Sequence, residues 1–215
     1  MLVKKFKCVI FDLDGVIVST DQFHFLAWKA LADREGIEFN QEINNRLRGV
    51  SRPESLEIIL EKSKKKYSAI EKKEMTDYKN QRYVISLSQL GPKDILPEVI
   101  DLIHFLNEKD ILIAIGSSSK NTKTILKQIG LLEAFDTIVD GNDITHSKPH
   151  PEVFLKAAEK LSINPKDCIV VEDALAGINA AKSAGMFAVA VSDALKATNA
   201  DMKATELSQM KTLFS

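Results

Sequence analysis

Short apolar, β-branched runs alternate along the chain with stretches whose apolar residues recur every three or four positions. The first pattern predicts buried strands and the second amphipathic helices; their alternation is the signature of a parallel α/β sheet. The runs predict strands at 8–11, 111–115, 137–139, 168–171 and 188–191, with helices near 97–107, 122–129, 152–161 and 177–184. Pro97 suits a first helical turn, and Gly130 and Gly185 suit C-terminal stops. Beyond Asp193 the pattern supports only a short closing helix.

One connection breaks this rhythm. Some eighty residues separate the first strand from Pro97, with helical periodicity and no convincing strand. A whole βαβ unit needs about 30 residues. The excess predicts a helical cap inserted at 19–90, with 1–18 and 91–215 forming the core. Inside it, Ser51-Arg52-Pro53-Glu54 reads as a capping box with proline just inside the helix start. The lysine-rich stretch 62–66 is expected to be a solvated helix face.

Composition narrows the partners. With 45% hydrophobic and 27% charged residues the chain can build a sizeable core, so disorder is not expected. A formal charge of −1 gives no global field for nucleic acid, and any anion must be held by local groups. Cys8 and Cys168 both lie in apolar runs and read as buried thiols of a reducing compartment. Asp12 and Asp14 interrupt the N-terminal apolar run, which excludes a signal peptide, and nothing reaches a transmembrane length. The expectation is a cytoplasmic monomer with no membrane or nucleic-acid partner.

The candidate chemistry collects at strand ends. Asp12-Leu13-Asp14-Gly15 follows the first strand, and residues two apart project from one face, so two carboxylates meet there. Unpaired they repel, and a divalent cation such as Mg2+ is the simplest remedy for oxygen donors. An EF-hand loop opens with this spacing but fails at Val16 and Ile17. Glu172-Asp173 ends the fourth strand in the same way. Gly116-Ser117-Ser118-Ser119-Lys120-Asn121 is a hydroxyl-rich turn offering hydroxyls and free N–H groups to an anion. In Ser147-Lys148-Pro149-His150-Pro151 two prolines are expected to hold the segment extended and aim Lys148. Acids with a metal, hydroxyls and a fixed lysine suit a phosphate. Asp12 is placed to attack phosphorus, Asp14 to act as acid and base, and Mg2+ with Lys148 to neutralise charge. No nucleoside-triphosphate loop of the form G-x-x-x-x-G-K-[ST] is present.

Asp12-x-Asp14-Gly15, Ser117, Lys148 and Glu172-Asp173, in that order, resemble the four signature motifs of the haloacid dehalogenase-like phosphotransferases. The resemblance implies a Rossmann-like parallel-sheet core with an inserted α-helical cap domain, and an aspartyl phosphate on Asp12. It implies Mg2+ held by Asp12, Glu172, Asp173 and the backbone carbonyl of Asp14. Residues 11–17, 24–31, 47–52 and 117–121 are similar to the family's sugar phosphomutases. Those enzymes interconvert β-glucose 1-phosphate and glucose 6-phosphate through a bisphosphate. By this likeness Thr20, His24, Trp28, Arg48, Gly49, Arg52, Ser118, Ser119, Lys120 and Asn121 bind small-molecule sugar phosphates. His24 and Thr20 fall near Asp14, and Arg52 falls at the distal phosphate. Arg52 at the first position of a capped helix suits a phosphate on physical grounds also. His24 and Trp28 also suit plain packing positions on an apolar helix face.

Two positions depart from the pattern. Ser19 stands where the family more often has aspartate, which removes a charge that could pair with His24 and Lys79; Arg48 stands where lysine is frequent. A sugar-phosphate phosphatase of the same superfamily is the leading alternative, since it shares the aspartyl phosphate but passes the phosphoryl group to water. A non-catalytic sugar-phosphate sensor is the second, disfavoured by the intact set Asp12, Asp14, Lys148 and Asp173.

Overall fold

A computed structural model describes residues 6–47 and 50–214. Six parallel strands form one sheet in the order β3-β2-β1-β4-β5-β6. They are β1 (Cys8–Phe11), β2 (Leu112–Gly116), β3 (Thr137–Val139), β4 (Cys168–Glu172), β5 (Phe187–Ala190) and β6 (Met202–Lys203). The helices are α1 (Asp21–Glu35), α2 (Gln41–Asn45), α3 (Arg52–Leu60), α4 (Ala69–Leu87), α5 (Val99–Glu108), α6 (Thr122–Gln128), α7 (Glu152–Lys160) and α8 (Leu175–Ser183). The first four all lie between β1 and β2, as the long connection predicted.

Strand alternation sorts the core into two clusters. Val9, Phe11, Ile113, Ile115, Ile169, Val171 and Val189 face one side, where α5 and α6 add Leu102, Leu106, Ile125 and Leu126. Cys8, Ile10, Ala114, Cys168, Val170, Ala188 and Ala190 face the other, against Phe154, Ala157 and Ala158 of α7 and Ala180 and Ala181 of α8. Both faces of a parallel sheet are covered by its crossover helices, which is why the central strands β1, β2 and β4 read as nearly continuous apolar runs. Cys8 and Cys168 are register partners on β1 and β4, and both are buried free thiols.

A third cluster, Trp28, Leu31, Ile37, Phe39, Ile43, Leu56, Ile59 and Met75, belongs wholly to the inserted segment between β1 and β2. The chain leaves and re-enters the sheet side by side: Val18 bridges Ile95, and Leu96 N–H donates to Ile17 O at 2.9 Å. Helix α4 spans both regions, with Met75 in the insertion's cluster and Tyr83 and Leu87 in the sheet's.

Several boundaries differ from the sequence reading. Pro97 lies ahead of α5, because Glu98 takes a left-handed φ of 62° at the N-cap and helix begins only at Val99. Beyond Asp193 the chain adds a short edge strand, β6, before a 3-10 run at Leu207–Phe214. Two residues are too few for periodicity to reveal. Gly130 and Gly185 do stop their helices, at φ 78° and 72°.

The capping box at Ser51 is present, with Glu54 N–H donating to Ser51 Oγ and Ser51 N–H to Glu54 Oε2. Ser68 and Glu71 form a second one at the start of α4, where Ser68 N–H donates to Glu71 Oε2 at 2.8 Å. Substituting Ser68→Ala removes this cap at a cost of about 1 kcal/mol. The melting temperature is expected to fall by about 2–4 °C in calorimetry. An unchanged melting temperature would mean that packing alone fixes where α4 begins.

Candidate active site

β1 lies at the centre of the sheet, so its C-terminal end faces the ends of β2 and β4. Ligands of open α/β sheets bind at that edge. A cavity of about 750 Å³ opens there, lined on the sheet side by Asp12, Asp14, Ser117, Lys148, Glu172 and Asp173. Trp28, Arg52 and Lys79 line it from the inserted helices.

Asp12 is buried, its N–H donating to Val171 O at 3.0 Å. Lys148, only 3% exposed, donates to Asp12 Oδ1 at 2.5 Å and also to Glu172 Oε1. Burial works against the ammonium charge, but Asp12 and Glu172 outweigh it and raise the lysine above its ordinary range. The lysine is not aimed by an extended segment. The Lys148–Pro149 peptide is cis, and the chain turns so that His150 N–H donates to Ser147 O at 3.0 Å.

Carboxylate oxygens of Asp12, Glu172 and Asp173 come within 4.8 Å of one another. Two glycines permit that approach. A Cβ on Gly177 would lie 1.9 Å from the Glu172 carboxyl carbon, and one on Gly15 would lie 2.1 Å from Asp173 Oδ2. Burial first, then the neighbouring acids, push both Glu172 and Asp173 above the carboxylate range, with Lys148 pulling the other way. Three acids and one lysine leave negative charge uncompensated, and the donors are all oxygen. The set fits a hard divalent cation of the magnesium class. The Asp14 carboxylate stands outside this trio.

Asp14 instead accepts from Thr20 N–H at 2.6 Å and Thr20 Oγ1 at 2.7 Å. Tyr83 of α4 donates to Thr20 Oγ1 at 3.0 Å. Burial raises the Asp14 carboxyl, the two Thr20 bonds lower it, and Asp12 raises it again, for a net value of about 6. A carboxyl in that range can give and take a proton near neutral pH. His24 Nε2 lies 4.0 Å from Asp14 Oδ2, and its Nδ1 lies 2.7 Å from Lys79 Nζ. Burial, then Lys79 and Arg52, lower the His24 imidazole, which favours its neutral form.

Lys79 is the residue whose weight the sequence reading missed. It is 2% exposed, packed between the Trp28 and Tyr83 rings, and burial holds it well below its usual range. The signal was available: Met75, Lys79, Tyr83 and Leu87 are spaced by four and are the buried residues of α4, so Lys79 occupies a core position. Trp28 is both an anchor of the insertion's cluster and part of the cavity wall.

The serine turn is less open than expected. Ser119 N–H donates to Ser117 Oγ and Asn121 N–H to Ser119 Oγ, both at 3.2 Å, so two backbone donors are already used. The hydroxyls accept these bonds and keep their own protons to donate. Ser118 Oγ is buried with no partner among the described residues, and it lines the cavity. Asn121 Nδ2 donates to Asn80 Oδ1 of α4 at 3.0 Å, tying the turn to the insertion. Lys120 is exposed at the rim, and half-buried Arg52 opens α3 from the facing wall. The structure thus brings together Asp12, Asp14, Thr20, His24, Trp28, Arg52, 117–121, Lys148, Glu172 and Asp173. Arg48 and Gly49 lie outside the described residues.

A family model for haloacid dehalogenase-like hydrolases matches residues 6–185. The chain belongs to that family. Within it, the chain is 44% identical over 206 residues to a β-phosphoglucomutase of Bacillus subtilis, spanning 95% of this chain and 91% of that one. A crystal structure of β-phosphoglucomutase from Clostridium difficile superposes with a TM-score of 0.90 at 38% identity, covering 97% of both chains. A phosphorylated carbohydrates phosphatase of Thermotoga maritima is 30% identical, over 84% of this chain and 82% of the relative. The family therefore holds both chemistries that the sequence left in competition.

The raised carboxyls give a test of the cation. A carboxyl whose folded pKa lies above its unfolded value contributes stability below about pH 4 that is lost as pH rises through the folded value. The metal-free protein is therefore expected to lose stability between about pH 5 and about pH 8, and excess Mg2+ to restore it. The rise in melting temperature on adding Mg2+ should be larger at the higher pH by about 3 °C or more. Equal shifts at both pH values would mean that the ion does not bind these acids.

Proposed function

We propose that this chain is a magnesium-dependent phosphomutase that interconverts β-D-glucose 1-phosphate and glucose 6-phosphate, the β-phosphoglucomutase reaction. The observation that carries the reading is the two-ended cavity. Asp12 with its acids and lysine lines a cavity of about 750 Å³ from the sheet, and half-buried Arg52 lines the same cavity from the inserted helices. Strong similarity to two β-phosphoglucomutases supports it. We infer further that 19–90 acts as a cap domain over a core of 1–18 and 91–215, in a monomeric cytoplasmic enzyme acting on small sugar phosphates.

In this mechanism an Asp12 carboxylate oxygen attacks the phosphorus of glucose 1,6-bisphosphate. The P–O bond to the sugar breaks, and Asp14 protonates the departing sugar oxygen. In the reverse direction Asp14 takes the proton from the attacking sugar hydroxyl. Asp12, Glu172, Asp173 and the Asp14 backbone carbonyl would hold Mg2+, which offsets charge on the transferring phosphoryl group. Lys148 supplies the fixed positive charge beside Asp12, and Ser117 a hydroxyl donor. The Ser118 hydroxyl is a further donor left for a ligand.

Turning the bisphosphate end for end converts one monophosphate into the other. That requires a second phosphate site, to which we assign Arg52 with Ser119, Lys120 and Asn121. His24 and Lys79 position Asp14 through the contacts at its side, and Trp28 borders the sugar.

Two measurements test this reading. Purified protein with Mg2+, β-glucose 1-phosphate and a trace of glucose 1,6-bisphosphate should form glucose 6-phosphate far faster than inorganic phosphate. Asp12→Asn is expected to abolish that turnover while the protein stays folded, with Glu172 still pairing Lys148. Dominant phosphate release by the parent would make it a phosphatase, and full activity of the variant would remove Asp12 as nucleophile.

Arg52→Ala should lower mutase kcat/KM by about 10- to 100-fold, as loss of a charge-assisted phosphate contact implies. Hydrolysis of a simple monophosphate should fall much less. Equal losses in both assays would rule Arg52 out as the distal clamp.

A further inference from the structure

A second group of ligating side chains stands outside the cavity wall, on the far side of the turn that carries Lys148. His146 and His150 flank Lys148 by two residues on either side, and Glu152 opens α7. One potential ligand atom from each of the three lies within 4.8 Å of the other two. The two imidazole rings stand 4.6 Å apart between centroids. His146 Nδ1 and Glu152 Oε2 are 3.1 Å apart, close to the ligand-to-ligand edge of a tetrahedral ion with bonds of about 2.0–2.1 Å.

The carboxylate is held in place by groups that an ion would not displace. Thr145 N–H donates to Glu152 Oε1 at 3.0 Å, and His146 N–H donates to Oε2 at 2.8 Å. Lys156 pairs with Oε1 at 2.7 Å, leaving Oε2 toward the histidine. Such outer hydrogen bonds orient a metal-binding carboxylate and reduce the cost of assembling the site. His150 Nδ1 accepts only a long bond, 3.3 Å, from Glu152 N–H. His146 and His150 border a groove of about 590 Å³ that Ser51 and Glu54 at the start of α3 also line, open to an entering ion.

We propose that His146, His150 and Glu152 bind one divalent transition-metal ion of the zinc class, independently of the carboxylate trio. The donor chemistry separates the two sites. Two imidazoles and a carboxylate select zinc, nickel or copper, whereas magnesium takes all-oxygen sets and keeps its waters. Saturating Mg2+ therefore fills the carboxylate site and leaves this one open. Because its ligands bracket Lys148, a bound ion staples the turn to the first residue of α7.

The test titrates the intact protein with Zn2+ by calorimetry in saturating Mg2+. One Zn2+ per chain is expected. His146→Ala and His150→Ala should each weaken it by at least about tenfold, the loss seen even when only a ligand's supporting partner is removed. Both side chains sit at the surface, so the variants should keep the parent melting temperature. Co2+ in place of Zn2+ should give visible absorption bands that both variants lose. No uptake of Zn2+ in the presence of Mg2+ would overturn the proposal. So would uptake by both variants as tight as the parent's, which would put the ion on the carboxylates instead.

Discussion

The crowding of Asp12, Glu172 and Asp173 at one sheet edge is the constraint on which the rest of the structure depends. Two carboxylates about 5 Å apart repel by about 3 kcal/mol at an effective dielectric near 20. Burial makes each charge dearer still. The fold meets this with one buried lysine shared between two of the acids. Breaking such a pair would strand a buried charge, so Lys148 and its partners stand or fall together. The third acid has no comparable answer within the trio, and that residual charge suits an oxygen-ligated divalent cation.

The sheet is built to allow this crowding. The face under α7 and α8 sets Cys8, Ala114, Cys168, Ala188 and Ala190 beside Ile10 and Val170, and its many small side chains let the helices settle close. Close helices bring Gly177 against the Glu172 carboxyl, where any side chain would collide. Phe154 of α7 shows the same economy of space. A Cβ on Gly116 would lie 2.8 Å from its ring, and the ring stands 4.8 Å from the Lys148 ammonium. Packing behind the strands and charge in front of them are thus one arrangement, because the helix that fills the core also walls in the lysine.

Much of this was legible in the sequence because it lies on the regular part of the fold. Asp12, Ser117 and Glu172-Asp173 sit at or just beyond apolar runs whose ends periodicity locates to within a residue. Strand ends in a parallel sheet converge, so naming the ends named the site. What escaped depends on contacts between segments distant in sequence. Lys79 shares the four-residue spacing of Met75, Tyr83 and Leu87, but its weight shows only once α4 is seen passing between two apolar clusters. The turn at Lys148 follows from a peptide geometry that proline permits but does not dictate. The pairing of serine hydroxyls with backbone N–H groups in 117–121 depends on local turn geometry that residue types leave open. β6 is too short to carry a pattern.

The insertion's part in the chemistry follows from where α4 anchors. Asp14 is supplied by the sheet, but its carboxyl is oriented by Thr20, and Thr20 by Tyr83 on α4. The same helix places Lys79 against His24 and Asn80 against Asn121. Asp14 and the serine turn are therefore both tied to one helix of the insertion. Under the proposed mechanism a sugar hydroxyl must arrive with its proton facing Asp14. The Asp14 carboxyl keeps its orientation only while α4 is seated against Thr20. In the proposed mechanism that linkage couples proton transfer at Asp14 to the seating of α4, through residues already in contact.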